Sequence, residues 1–176
     1  MIKSGKQLNL AMTLQQELEL SGFMINSMLE ALDPKQYQAL VELRKAVHKK
    51  CAFAKALDSI DGLLMEGRGI LYNQQTPYHL DSADPRRAWV ALLVLGCFTS
   101  GPLYIPALNL LLFYEPGMSL ILFSSPSYLF LTSGTLIFMR GHILPHEVEA
   151  WVGGQRVCIV HFTHQSLWDE FGMECP

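Results

Sequence analysis

The first third of the chain alternates apolar and polar residues at helical spacing. Between residues 7 and 31 apolar side chains recur every three or four positions, which predicts an amphipathic helix with a break near Ser21-Gly22. Asp33-Pro34 begins a second helix, because Asp is a favoured N-cap and Pro suits the first helical position. Gln36 would close a capping box, and an apolar stripe then continues to about Leu57. We therefore predict two helices that brace one face of a sheet.

After Gly67 the pattern changes to short apolar runs separated by Gly, Pro or Asn. The runs are rich in β-branched and aromatic residues, for example GILYN, AWVALLVLGCF, TLIFMRG and RVCIVHFTH. Many short strands at this spacing indicate a sandwich or jelly roll. We predict an α+β fold in which a double-stranded β-helix (jelly-roll or cupin-like) is braced by N-terminal α-helices. The expected boundaries are 1–63 for the helical brace and 64–176 for the β-helix domain.

Two charge-free stretches raise the alternative of a membrane protein. They lie between Arg87 and Glu115 and between Glu115 and Arg140, and either is long enough to cross a bilayer. Glycines and prolines break the first stretch into runs of strand length, which favours buried strands. The alternative interpretation is a two-span membrane protein with spans near 88–114 and 116–139.

Charge and cysteine content narrow the class of protein. The net charge of −3 and the pI near 6.0 give no whole-chain attraction to nucleic acid or anionic membranes, and basic residues cluster only locally, as at Arg86-Arg87. The 4 cysteines include no Cys-x-x-Cys pair, which argues against a zinc knuckle and a dense disulfide framework. We therefore expect an intracellular protein, nuclear or cytoplasmic.

A His-x-Asp pair and a distant histidine carry the strongest chemical pattern. His79, Asp81 and His146 would place two imidazoles and one carboxylate on one face of an iron ion. Such a facial triad leaves three coordination positions for a co-substrate and O2. Arg156 follows across the Gly153-Gly154 turn, where its guanidinium would suit a bidentate grip on the far carboxylate of 2-oxoglutarate. We predict a metal site at these three ligands, with Arg156 binding the co-substrate.

The remaining histidines offer weaker alternatives. His142 is a second claimant for the distal position, but His146 is favoured because of its spacing to Arg156. His142 would then lie behind the metal ligands or on the surface. His161 and His164, in the run IVHFTH, are interpreted as packing or capping groups.

The chain resembles the TET/JBP-like branch of the 2-oxoglutarate/Fe(II) dioxygenases over residues 64–172. The resemblance rests on PYHLDSADPRRAWVALLVLGCFTSGPLYIPAL, on FYEPG, and on TLIFMRGHILPHEVEAWVGGQRVCIVHFTH. It implies that His79, Asp81 and His146 bind Fe(II) and that Arg156 holds 2-oxoglutarate. Asn73, on the strand before the triad, is a further candidate for touching the co-substrate.

The resemblance also implies a reaction and a partner. Decarboxylation of 2-oxoglutarate by O2 would be coupled to oxidation of a C–H bond, which in this family is the 5-methyl group of a pyrimidine in DNA. The base would have to leave the stack to reach the iron. DNA is thus expected by resemblance only.

One segment departs from the family pattern. Pro116-Gly117 should lead directly into the strand at Thr135, but the apolar, charge-free segment Met118–Gly134 intervenes. A surface loop should be polar and rich in turn residues. Gly117-Met118-Ser119 can be encoded with a splice-donor sequence, so our hypothesis is that this segment is a translated intron, an insertion that can displace His146. For this segment, the alternative is a genuine hydrophobic lid or membrane-contact hairpin. For the chain as a whole, the alternative is a non-catalytic cupin-like relic or binding module.

Overall fold

A computed structural model describes residues 5–114, 120–121, 129–131 and 134–176. The chain divides into two compact units. One unit comprises the residues up to Glu66 together with Trp168–Pro176, and the other is Gly67–Leu167. The α+β class predicted from the sequence is confirmed.

The first unit is helical. Its helices are α1 (Gly5–Glu17), α2 (Glu19–Leu32), α3 (Pro34–Lys50) and α4 (Ala52–Leu57), and a short α5 (Gln165–Glu170) begins in the second unit. The predicted start of α3 is confirmed, since the Gln36 N–H donates to Asp33 Oδ1 at 3.0 Å. Burial of Ile25, Leu29 and Leu40 then packs the apolar stripes of α2 and α3 together.

Two predicted helix boundaries are wrong. The first helical stretch breaks at Leu18 rather than at Ser21-Gly22, and Gly22 is buried inside α2. A Cβ at Gly22 would make an ordinary contact of 3.4 Å with Leu63, so this glycine causes no break. The second stretch does not continue to Leu57, because Cys51 is extended and begins α4. The Ala54 N–H donates to Cys51 Sγ at 3.4 Å, and a cysteine N-cap has little sequence signal.

The second unit contains two sheets. Their strands are β1 (Gly67–Tyr72), β2 (Thr76–His79), β3 (Val90–Ser100), β4 (Leu103–Ile105), β5 (Leu110–Tyr114), β6 (Leu120–Ile121), β7 (Leu129–Leu131), β8 (Thr135–Met139), β9 (His146–Val148) and β10 (Trp151–Phe162). One sheet has the order β1-β10-β3-β8-β6, and the other β2-β9-β4-β5-β7. Pairing is antiparallel except at β5 with β7 and β6 with β8.

The strand β3 accounts for the apolar run that suggested a membrane span. It lies between β10 and β8, and its residues from Val90 to Val94 are all buried. A strand buried on both faces is continuously hydrophobic rather than alternating. In the described part of the chain, no helix has the length and hydrophobicity needed to cross a membrane.

The core of the second unit is an apolar cluster drawn from both sheets. Strand β3 contributes Val90, Leu92 and Val94, and β10 contributes Cys158. Strands β4, β5 and β8 supply further members, which are Leu103, Ile105, Leu110, Leu112, Ile137 and Met139. Val148 of β9 packs against this cluster, which supports the strand that begins with His146.

The Met118–Gly134 segment lies largely outside the described residues. Only Leu120–Ile121, Leu129–Leu131 and Gly134 belong to the described part. The intron hypothesis therefore stays a prediction.

Candidate metal centre

The three predicted metal ligands meet where β2 pairs with β9. His79 is the last residue of β2, His146 is the first of β9, and the two are direct cross-strand partners. Asp81 follows His79 by two positions and joins them from the loop. The sequence places His146 far from His79 and Asp81, and the antiparallel register of β2 and β9 brings them together.

The ligand atoms form a compact triangle. His79 Nε2 lies 3.4 Å from Asp81 Oδ1, and His146 Nε2 lies 4.0 Å from Asp81 Oδ2. One ligand atom from each residue falls within 4.8 Å of the others, a separation that a single ion can bridge. The imidazole centroids are 4.3 Å apart and tilted by 54°. The arrangement is a candidate metal site with two nitrogen donors and one carboxylate.

Backbone carbonyls orient both imidazoles for coordination. His79 Nδ1 lies 2.8 Å from the Pro77 oxygen, and His146 Nδ1 lies 2.9 Å from the Leu144 oxygen. A carbonyl oxygen only accepts, so each Nδ1–H donates to it. Each Nε2 then keeps its lone pair for a metal. Hydrogen bonds of this kind fix the tautomer and ring orientation of histidine ligands.

Burial adjusts the charge state of the distal histidine. His146 is 5% exposed, and this desolvation lowers its pKa below the ordinary value of 6.5. The carboxylate of Asp81 opposes the shift without cancelling it. His146 is therefore neutral near pH 7, which is the form that binds a metal. The donor chemistry fits Fe(II), whose oxygenase sites use two imidazoles and one carboxylate.

Arg156 is buried at the start of the regular part of β10. It is 1% exposed, and its guanidinium carbon lies 5.8 Å from the Phe98 ring centroid. Its side chain also forms a hydrogen bond with the Cys158 thiol. Burial raises the pKa of this thiol to about 11. Cys158 is therefore protonated near pH 7 and contributes no negative charge beside Arg156.

Asn73 is attached to the backbone of Arg156. The Arg156 N–H donates to Asn73 Oδ1 at 2.8 Å, and the Asn73 N–H donates to the Arg156 oxygen at 2.8 Å. Asn73 adopts a left-handed φ of 48°, which Asn tolerates better than most residues. The structure thus places Asn73 where it fixes the main chain at Arg156. Its contact with a co-substrate stays a prediction.

An open pocket of about 360 Å³ adjoins the triad. Asp81 is part of its wall, and apolar walls come from β1 and β10 through Leu71, Val160 and Phe162. Asp84 and His164 add polar groups to the pocket. The two side chains contact each other, with His164 Nδ1 3.0 Å from Asp84 Oδ1.

Asp84 is a buried carboxyl group with a raised pKa. It is 5% exposed, and desolvation raises its pKa above the ordinary value of 3.8 despite the opposing hydrogen bond from His164. His142 Nδ1 lies 2.6 Å from the Asp84 backbone oxygen, which ties the loop after Asp81 to the turn before His146. The pocket therefore presents an acceptor and a titratable imidazole beside the candidate metal ligands.

Comparison with known proteins shows a relation at the level of the fold. No family model and no curated relative matches the chain. Among solved structures, NgTET1 in complex with 5mC DNA matches with a TM-score of 0.62 and 16% sequence identity, over 87% of this chain. The fold is TET-like. The match covers 51% of the NgTET1 chain, so the present chain spans about half of that length.

The two histidines of the run IVHFTH have defined positions in the structure. His161 is buried and its Nδ1 lies 3.3 Å from the Ala91 oxygen, so it packs in the sheet as expected. The His164 ring lies 4.3 Å from the Phe162 ring, so it packs as expected, and it also lines the pocket. Sequence reasoning missed Asp84, for which the available signal was a second acid just after the His-x-Asp pair.

Proposed function

We propose that this chain is a 2-oxoglutarate- and Fe(II)-dependent dioxygenase built on a double-stranded β-helix. The observation that carries the proposal is the convergence of His79, Asp81 and His146, with both Nδ1 atoms bonded to carbonyls and both Nε2 atoms turned to one carboxylate. Two imidazoles and a carboxylate are the ligand set that Fe(II) oxygenases use.

Strand topology supports the β-helix interpretation. Strands β1, β3, β8 and β10 lie in one sheet, and β2, β4, β5 and β9 lie in the other. The chain thus passes repeatedly between two sheets that share one core, as it does in a jelly roll. The TET-like neighbour fits the same interpretation.

Each residue would have a defined task. His79, Asp81 and His146 would hold Fe(II), and the buried Arg156 would grip the far carboxylate of 2-oxoglutarate through its planar fork. When bound, the iron would supply the O2 chemistry: 2-oxoglutarate, O2 and a C–H group become succinate, CO2 and an alcohol. The apolar walls of the pocket would exclude water around the reacting group.

The pocket beside Asp81 supports a flipped pyrimidine as substrate. Its volume of about 360 Å³ lies in the range of small-ligand sites and admits one base. Asp84 and His164 would bond the polar edge of that base. Arg86 and Arg87 are exposed and directly follow the segment that lines the pocket, where they would meet backbone phosphates. The neighbour NgTET1 was solved in complex with 5mC DNA.

The proposal is tested by incubating the full chain with Fe(II), 2-oxoglutarate and an oligonucleotide that contains 5-methylcytosine. Mass spectrometry should detect a gain of one oxygen on the modified base, together with succinate. The same reaction with His79→Ala should give neither product.

Other outcomes would separate the alternatives. Succinate without an oxidised base would retain the dioxygenase and exclude this DNA substrate. Iron binding without succinate would identify a non-catalytic cupin-like binding module. Absence of iron binding by the folded chain would contradict the proposal.

A further inference from the structure

A glycine in the turn between β8 and β9 lies directly against the metal-binding carboxylate. The backbone N–H of Asp81 donates to the Gly141 oxygen at 3.0 Å, so the two residues are fixed to each other through the main chain. Gly141 is buried, which leaves little space around it. The same turn closes through the Ile143 and Leu144 N–H groups, which both donate to the Arg140 oxygen at 3.1 and 3.0 Å.

Any side chain at position 141 would collide with Asp81. An ideal Cβ on Gly141 would overlap Asp81 Oδ2, and it would lie 2.8 Å from the Asp81 Cγ and 3.2 Å from its Cβ. Real Cβ atoms essentially never approach other heavy atoms within 3.0 Å. The carboxylate would therefore have to rotate away or the turn would have to move.

The requirement for glycine at position 141 is space rather than backbone conformation. Gly96, Gly101 and Gly154 have φ values between 61° and 122°, a region that favours glycine. Gly141 is not among the residues with positive φ. An alanine there would not need a left-handed backbone, and the three atoms nearest to its Cβ would all belong to Asp81.

We propose that Gly141 is a positioning residue for the metal centre. The oxygen that a Cβ would displace, Asp81 Oδ2, is the one that lies 4.0 Å from His146 Nε2. Absence of a side chain at Gly141 lets the carboxylate turn toward both imidazoles. The turn also carries Leu144, whose oxygen orients His146, so one short segment locates two of the three ligands. This inference rests on the proposed function, because it assumes that the triad binds a metal.

Gly141→Ala tests the proposal, with Gly62→Ala as a matched control. A Cβ at Gly62 would meet nothing within 4 Å, and Gly62 has no positive φ. Titration with Co(II), followed by its visible absorption, reports both affinity and coordination geometry. We expect Gly141→Ala to weaken Co(II) binding at least about tenfold, or to change the spectrum, since poorly supported ligands lose affinity on that scale. Gly62→Ala should bind Co(II) as the unaltered chain does.

A double-mutant cycle distinguishes a clash with Asp81 from general misfolding. In the Asp81→Ala background the obstructing carboxylate is gone, so adding Gly141→Ala should lower Tm much less than it does alone. Equal losses of Tm in both backgrounds would overturn the proposal, as would unchanged Co(II) affinity and spectrum in Gly141→Ala. If Gly141→Ala alone fails to fold, the double variant should fold as Asp81→Ala does.

The two parts of the cycle also separate this inference from the proposed function. If the unaltered chain binds no Co(II), the proposed function fails and the metal role of Gly141 fails with it. The Tm cycle would still report whether Gly141 makes room for the Asp81 side chain.

Discussion

Replacing Arg156 with methionine should separate co-substrate binding from stability. Arg156 is 1% exposed, and its guanidinium carbon lies 5.8 Å and 5.9 Å from the Phe98 and Trp151 ring centroids. Methionine is also long and unbranched, and it packs well against aromatic rings. The exchange removes the hydrogen bond to the Cys158 thiol, which should cost about 0.5–1.5 kcal/mol, but it also removes the cost of burying a charge, so the net change in stability should be small.

The loss of co-substrate affinity should be much larger than any loss of stability. A bidentate grip makes two charge-assisted hydrogen bonds, each contributing about 1.5–3 kcal/mol. Their removal should weaken 2-oxoglutarate binding by about a hundredfold or more. Arg156→Lys keeps the charge but loses the planar fork, so its affinity for 2-oxoglutarate should lie between those of the unaltered chain and Arg156→Met.

Calorimetric titration of 2-oxoglutarate into the metal-loaded protein under anaerobic conditions measures the affinity, and thermal unfolding without co-substrate measures the stability. We expect Arg156→Met to change Tm by less than about 4 °C while losing binding. Unchanged affinity in Arg156→Met would refute the role of the guanidinium. A fall in Tm by more than about 4 °C, roughly 1 kcal/mol or more for a chain of this size, would refute the argument about the buried charge.

Three further predictions concern the helix start, the pocket and the apolar segment. Asp33→Ala should cost about 1 kcal/mol in urea unfolding, because it removes the acceptor of the Gln36 N–H; an unchanged midpoint would contradict this. Burial raises the pKa of Asp84, so the folded state retains its proton above the unfolded pKa of about 3.9, and stability should fall as the pH rises from there through the folded pKa. Asp84→Asn should reduce this pH dependence of stability, measured by urea unfolding at several pH values. An unchanged pH dependence would count against the raised pKa of Asp84 as its cause. Deletion of 118–134 removes apolar, charge-free sequence and should reduce aggregation in size-exclusion chromatography; a more aggregated product would favour a genuine lid.

The candidate metal site was predictable because its chemistry is visible in the residue types. Two imidazoles and a carboxylate in the order His-x-Asp and distant His indicate a facial triad without any coordinates. The strand register that unites His79 with His146 was not predictable, since cross-strand pairing depends on the whole sheet. The sequence also gave no sign of Gly141, because its role depends on the space beside Asp81 rather than on its own chemistry.

The fold class was predictable from the periodicity of the sequence. The ambiguous or wrong parts of the prediction have physical causes. The central strand β3 is buried on both faces, so its sequence has the apolar continuity that also suits a membrane span. The helix break at Cys51 depends on a weak sulfur acceptor that sequence patterns do not favour. The pairing of His164 with Asp84 was not predictable, because it joins residues that are distant in the chain.

Metal-dependent formation of succinate tests the central claim most directly. The full chain would be stripped with a chelator and assayed with 2-oxoglutarate and O2, before and after addition of Fe(II), beside His79→Ala. We predict succinate only from the unaltered chain and only after Fe(II) is restored. Equal succinate from His79→Ala, or none from a folded chain that retains Fe(II), would contradict the assignment of this centre as a dioxygenase site.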